Sequence, residues 1–196
     1  MRQQVKEIKH AQILTYVVEI TDREGRVLRR IEAPSRSFVE QWNKVINVAA
    51  KQTASTIKDT GGVDRSVSPH ASNLRINAGA GIITYGIRVG KGSTAVTITD
   101  YQLETPLAEG VGVDQLTHLA MLSTAPSIDG SDCSFTIKRN MINNTGATIT
   151  GINELGAYMR MGNSYYGLAF RDVLGSPASV PDGGAITVEY TLKVTA

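Results

Sequence analysis

Cysteine is nearly absent from this chain: Cys133 stands alone among 196 residues, which excludes an intramolecular disulfide framework. Long apolar runs are missing too. The longest, Ile13 to Val18, is broken by Thr15 and Tyr16 and falls far short of the roughly 20 residues of a membrane-spanning helix. Met1-Arg2-Gln3-Gln4 has no apolar h-region, so the expectation is a soluble protein made without a conventional export signal. Neither sign of charge dominates. Net charge is +2, with 12 Lys/Arg against 8 Asp/Glu in residues 1–65 and 8 against 10 in residues 66–196. A nucleic-acid binder concentrates a stronger basic excess on one face, so no direct nucleic-acid partner is expected. What is present, 41% apolar and 19% charged residues, excludes a disordered chain. The length suits one domain that buries roughly 70% of its unfolded surface.

Periodicity divides the chain in three. Residues 1–34 read as an N-terminal arm and a β-hairpin. Leu14, Tyr16, Val18 and Ile20 alternate with polar or smaller residues, Asp22-Arg23-Glu24-Gly25 supplies turn chemistry, and Val27 to Ile31 returns until Pro34 ends the strand. Residues 35–73 hold one amphipathic α-helix at about 36–51 and a polar loop. Ser37-Phe38-Val39-Glu40 fits a capping box, and Phe38, Trp42, Val45, Ile46 and Ala49 fall on one helical stripe. Residues 52–73 lose all period, as in a functional loop, an arm or a connector. Residues 74–196 read as β throughout, and the whole as one compact domain. Candidate strands lie at 83–89, 96–99, 116–122, 133–141, 149–161 with a bulge near Gly151 or Gly156, 166–170 and 186–194. Strands separated by Gly/Pro/Asn/Asp turns, with no helices between them, predict a mainly β fold: an antiparallel, jelly-roll-like β-sandwich.

The motifs that carry chemistry fail one by one. Gly90-Lys91-Gly92-Ser93-Thr94 lacks the spacing and the following helix of a phosphate loop and reads as a turn. His10, His70 and His118 are scattered and read as surface or loop residues; none has a second ligand at metal spacing. Cys133 sits on an apolar strand face and reads as a buried small hydrophobe. No serine has a nucleophile-elbow frame. Glu104 and Glu109 could pair in space, but nothing singles them out for acid–base work. Asn143-Asn144-Thr145 fits a glycosylation pattern and is more simply a turn. No enzyme activity, cofactor or metal is therefore expected.

Two groups of residues remain as candidates for contact. Arg23, Arg26, Arg29 and Arg30 could meet an acidic partner, although Asp22, Glu24 and Glu32 dilute them toward a solvated hairpin face. The stripe of Phe38, Trp42 and Ile46 must bury against a core or a neighbour. Arg139, Glu154, Arg171 and Asp172 lie among apolar strand residues, where charges are usually paired, and are expected to form structural or subunit-interface ion pairs. The alternative is a carbohydrate- or receptor-binding module with Tyr158, Tyr165 and Tyr166 lining a platform, although aromatics make up only 6% of the residues.

Two longer stretches carry a resemblance. Residues 85–103, from Tyr85-Gly86-Ile87-Arg88-Val89-Gly90 through Thr97-Ile98-Thr99-Asp100-Tyr101-Gln102-Leu103, resemble the "vGtGttavt-dy-L" pattern of tailed-bacteriophage structural proteins. Residues 143–158, Asn143-Asn144-Thr145-Gly146 through Glu154-Leu155-Gly156-Ala157-Tyr158, are similar to the "N-sG-tItv-EvGly" segment of the same group. Arg171-Asp172-Val173-Leu174 and the Pro181-Asp182-Gly183 turn match its ending, and the opening hairpin followed by Ser37-Phe38-Val39 fits as well. The resemblance implies a β-sandwich virion protein, made in the host cytoplasm and assembled into the particle. Its expected partners are copies of itself and major capsid or tail proteins, with no membrane. The resemblance does not fix a position in the particle; the expected role is capsid decoration, with a tail, neck, baseplate or fibre-attachment role as the alternative, and the N-terminal arm, the hairpin and the 52–73 loop as docking parts.

Overall fold

Alternation of apolar and polar residues dictates the first element. The computed structural model describes residues 11–35 and 37–196, and within it Ala11–Thr21 (β1) turns Leu14, Tyr16, Val18 and Ile20 inward. Gly25, at φ +80°, lets the chain reverse into Val27–Ser35 (β2). Pro34 does not end β2: it pairs with Thr15 inside the strand. An edge strand tolerates a residue that cannot donate to a ladder. The expected N-terminal arm, from Met1 to His10, lies outside the described residues.

The helix is Glu40–Lys51 (α1), and Arg36, at its expected start, is also outside the described residues. The capping box does not form. Val39 is the N-cap without a side-chain bond, because Ser37 turns its hydroxyl to Ser35 (2.8 Å) and Glu40 pairs with Lys44 (2.8 Å). The buried stripe is correspondingly rotated to Gln41, Trp42, Val45 and Val48, leaving Ile46 exposed. Residues 52–73 are not a loop but contain a small hairpin, Ser55–Lys58 (β3) and Asp64–Val67 (β4). Four-residue strands that bury only Ile57 and Val67 are too short to show a period. Asp59 holds their turn by accepting from Gly61 N (2.9 Å), Val63 N (3.0 Å) and Arg65 Nε (2.6 Å).

The remaining strands are Gly86–Gly90 (β5), Ala108–Glu109 (β6), Gln115–His118 (β7), Leu122–Ser123 (β8), Ser127–Asp129 (β9), Asp132–Ile142 (β10), Ile149–Met161 (β11), Tyr165–Val180 (β12) and Ala185–Thr195 (β13). Residues 96–99 form no strand. Asp100 folds them back by accepting from Thr97 N and Thr97 Oγ1 (3.1 and 2.6 Å), a local bond that replaces a ladder. The large sheet runs β2-β1-β13-β10-β7-β6, with β8 and β9 also on β10; the small sheet runs β12-β11-β5. Among the described residues all strand pairings are antiparallel except β6 with β7. The register of β11 with β12 shifts between Ile149 and Ile152, around Gly151 at φ +74°, and again between Ala157 and Tyr158, next to Gly156, so both expected bulge positions are irregular.

The fold is therefore a mainly β sandwich with an N-terminal hairpin. Ile186, Val188, Tyr190 and Leu192 of β13 meet the small sheet, and Phe170 stands edge-on to Tyr190 at 4.6 Å. The small sheet is buried on both faces. Leu155, Ala157 and Met159 join the main core, while Tyr158 and Leu168 pack with Val39 and Leu103 under the 91–107 segment. That segment is a third layer.

Candidate functional site

Carboxylates of the chain itself occupy the glycine turn. Glu154, fully buried on the outer face of β11, accepts from Gly92 N (3.0 Å), Glu104 N (2.9 Å), Thr105 N (2.7 Å) and Arg171 Nε (3.0 Å). Glu104 accepts from Ser93 N and Thr94 N (2.9 and 3.1 Å). Successive amides make an anion-binding concavity, and here the anions are internal. Arg171 closes the network on Asp100 (2.9 Å), and Glu104 lies 3.7 Å from it. The guanidinium–carboxylate pairing expected of Glu154 and Arg171 is thus present, and it clamps the third layer to the sheet. Asp100 and Glu104 are held below the usual carboxylate range despite the opposing effect of burial on Asp100. For Asp100 the lowering comes from Thr97 and Arg171; for Glu104 it comes first from Thr94.

Arg139 and Asp172 depart from the ion-pair expectation. Arg139 is fully buried and donates to four backbone carbonyls: Leu119 O (2.8 Å), Ile87 O (3.2 Å), Gly79 O (3.2 Å) and Ile82 O (2.8 Å). The guanidinium fork satisfies carbonyls that no strand ladder reaches, and burial lowers its pKa to about 10. Asp172 accepts instead from the Tyr190 hydroxyl (3.0 Å), with Ser35 and Ser37 as further donors. Burial pushes its carboxyl above the ordinary value, and burial followed by the Asp172 charge raises Tyr190 well above 10.

His118 is not a surface residue. It is fully buried, and its Nδ1 lies 2.7 Å from Glu109 Oε2 and 2.9 Å from Leu116 O. Burial and then the Arg139 charge lower its pKa. Glu109 is thereby engaged away from Glu104, so those two carboxylates do not pair. Asn143 is a buried turn residue whose Nδ2 donates to Ala147 O and Val180 O (both 2.8 Å). Among the described residues no group of three or more His, Cys, Asp or Glu could hold a metal ion.

The candidate contact residues separate. Trp42 is a core residue, 5.3 Å from the Phe38 ring and 6.3 Å from that of Phe170; Phe38 is half-buried in the same aromatic cluster, and only Ile46 remains outside. The hairpin arginines are spent locally. Arg23 pairs with Asp182 (3.0 Å), Arg26 with Asp22 (2.6 Å) and Glu24 (3.1 Å), and Arg30 with Glu19 (2.6 Å) and Glu32 (3.3 Å). Arg29 donates to Pro177 O (2.5 Å) and to Ser176. This is a solvated, internally neutralised face. The three tyrosines do not share one exposed surface: Tyr158 is buried, its hydroxyl oxygen accepting from Leu103 N (2.7 Å), Tyr165 packs against the core beside Arg65, and Tyr166 stacks on Tyr85 at the rim of a small pocket that Tyr158 also lines.

An apolar surface that sequence periodicity missed lies at one end of the sandwich. The inward faces of β13 and β10 continue past the reach of the small sheet. There Ile128 of β9, Cys133 of β10 and Val194 of β13 are register neighbours on that same inner face. Ile128 is 81% exposed and Val194 52%, and Cys133 is half-buried rather than buried. The shelf leads into a cleft of about 440 Å³ lined by Trp42, Leu74, Ile76, Met121, Phe135, Ile137 and Leu192, with Leu122, 65% exposed, at its wall. Alternation does mark Cys133 and Val194 as inward-facing; it does not say where the opposing sheet stops.

Comparison with protein-family models, with curated proteins and with solved structures gives no match.

Proposed function

We propose that this chain is a non-enzymatic structural protein of a bacteriophage particle that decorates the head, docking on the shell through the open end of its sandwich. The observation that carries the reading is the uncovered inner face around Ile128, Cys133 and Val194 with its adjoining apolar cleft. Exposed apolar surface of this kind, continuous with a pocket, is what a protein partner covers. A cleft that admits apolar side chains from the shell supplies the central anchor of such an interface, where each fully buried aliphatic or aromatic group contributes about 1.5–3 kcal/mol. A contact burying about 1,200–2,000 Å² is enough for specificity, and repetition over a symmetric shell multiplies it.

The internal commitments of the charged groups support the same reading. Glu154, Arg171, Arg139 and Asp172 rigidify the body, and of the hairpin arginines Arg23, Arg26 and Arg30 are paired with carboxylates while Arg29 is hydrogen-bonded to Pro177 and Ser176. A rigid body loses little conformational freedom on docking. The resemblance of residues 85–103 and 143–158 to phage structural proteins supports a virion protein as the partner. A tail, neck, baseplate or fibre-attachment position would use the same surface, and copy number separates the two. Counting and locating this chain in purified particles is the test. Hundreds of copies on the head are expected; a dozen or fewer at one vertex would move it to the tail, and absence from particles would overturn both.

A further inference from the structure

Arg88 stands on the outer face of β5 opposite Gly156, with its guanidinium 5.6 Å from the centre of the Tyr158 ring. Among the described residues it donates one hydrogen bond, from Nη2 to Leu107 O (2.7 Å), and its Nε–H is buried without a partner. None of the ion pairs between described residues involves it, and burial lowers its pKa. Arg88 lies near enough to Arg139 for its charge to add to burial in lowering the Arg139 pKa. An arginine offers five donors, and a half-buried one with a single acceptor and no counter-charge is left short of both.

The space beside it is a pocket of about 230 Å³ walled by Thr60 of the β3–β4 turn, by Thr84, by Gln102 of the third layer, and by Tyr158 and Tyr166. Tyr166 is held flat against Tyr85, with ring centres 6.0 Å apart and planes 4° from parallel. Arg75 and Arg160 flank Tyr85, each 5.8 Å from its ring, and add positive potential. One guanidinium, an immobilised aromatic wall, and hydroxyl and amide side chains converge on a volume below that of a drug-sized site. A phosphate site is built differently, from several cations or a row of backbone amides.

We propose that this pocket binds one carboxylate-bearing sugar ring of a glycan, a uronic or sialic acid unit. Arg88 takes the carboxylate, Tyr166 takes the apolar face of the ring, and Thr60, Thr84 and Gln102 meet its hydroxyls. The guanidinium fork matches a carboxylate with two parallel hydrogen bonds, so a neutral sugar leaves Arg88 as unpaired as before. This site is independent of the docking shelf and does not rest on the particle assignment.

The test titrates the full chain with glucuronate, N-acetylneuraminate, glucose, acetate and inorganic phosphate, following amide and arginine side-chain NMR resonances. The expected result is saturable binding of at least one acidic sugar that shifts the Arg88 Nε–H and the amides of Thr84 and Tyr166. Glucose, acetate and phosphate should bind at least tenfold more weakly. Arg88→Gln should reduce acidic-sugar affinity at least tenfold, while Arg26→Gln, on the solvated hairpin, leaves it unchanged. Should Arg88→Gln not fold, Tyr166→Ala and the native Arg88 resonance carry the same decision. Binding of neither acidic sugar, equal binding of phosphate or acetate, or unchanged affinity in Arg88→Gln would overturn the proposal.

Discussion

Replacing Glu154 by alanine removes one acceptor that four donors share. In the folded chain its two oxygens satisfy the amides of Gly92, Glu104 and Thr105 and the Nε–H of Arg171, all within 3.0 Å. Breaking a buried charge pair by deleting one partner costs about 3–5 kcal/mol. The upper part of that range is tempered, because Arg171 keeps Asp100 at 2.9 Å and water can reach the freed amides of a surface segment. Total stability for a domain is about 5–15 kcal/mol, so Glu154→Ala should fold but melt early. For a chain of this length each kcal/mol moves the midpoint by roughly 2–4 °C, so a loss of about 3–4 kcal/mol gives a fall of about 6–16 °C. Thermal unfolding followed by circular dichroism reads the global effect. Hydrogen exchange reads the local one, with faster exchange at Gly92, Glu104 and Thr105 and unchanged protection in β13. A loss below about 1 kcal/mol, with those three amides still protected, would refute the view that Glu154 clamps the third layer.

Other variants probe other parts of the same account. Arg139→Lys replaces a fork that serves four carbonyls with a point charge that cannot span them, and should cost about 3–5 kcal/mol in urea unfolding. Gly156→Ala places a Cβ 2.7 Å from Phe170 O, a backbone atom that cannot move without disturbing the β11–β12 ladder, and should cost about 1–3 kcal/mol by the same measurement. Burial raises Asp172 above its ordinary 3.8, so between that value and the raised one the folded state holds the extra proton and stability falls as pH rises. Asp172→Asn should remove that component, so the variant gains on the native chain in unfolding experiments as pH rises from about 4 to 7; a pH-independent difference would contradict the shift. Cys133, half-buried on the shelf, should react with a small thiol reagent in the isolated chain and be protected once the shelf is covered.

Much of the architecture was legible because it rests on period-two alternation. β13 and β1 bury every second residue, and that pattern is in the letters. That Glu154 and Arg171 would be charge-paired was legible because a charge among apolar strand residues needs a partner; which residues pair was not. The partners of Arg139 were not, since they are backbone carbonyls whose positions depend on the paths of the 79–82 and 119–121 segments. Ser37 illustrates competition between two local bonds: the letters of a capping box were present, but Ser35 and Asp172 claimed the hydroxyl. Arg88 reads as the solvent face of its strand between Ile87 and Val89, and only the third layer of residues 91–107 makes it half-buried. The shelf was hidden for a related reason. Where one sheet outruns another is a property of two strands' lengths in space, and neither strand's sequence records it.

The central claim, that the open end of the sandwich is a protein-docking face, is tested most directly by charging that face alone. Ile128→Glu combined with Val194→Glu alters two side chains that are 81% and 52% exposed, so the isolated chain should keep its fold and lose little stability, within about 0.5 kcal/mol per site. Particles lacking this protein would be incubated with equal amounts of native and doubly substituted chain, and the bound ratio measured by mass spectrometry. At least a tenfold excess of bound native chain is expected; equal incorporation of the two would contradict the claim.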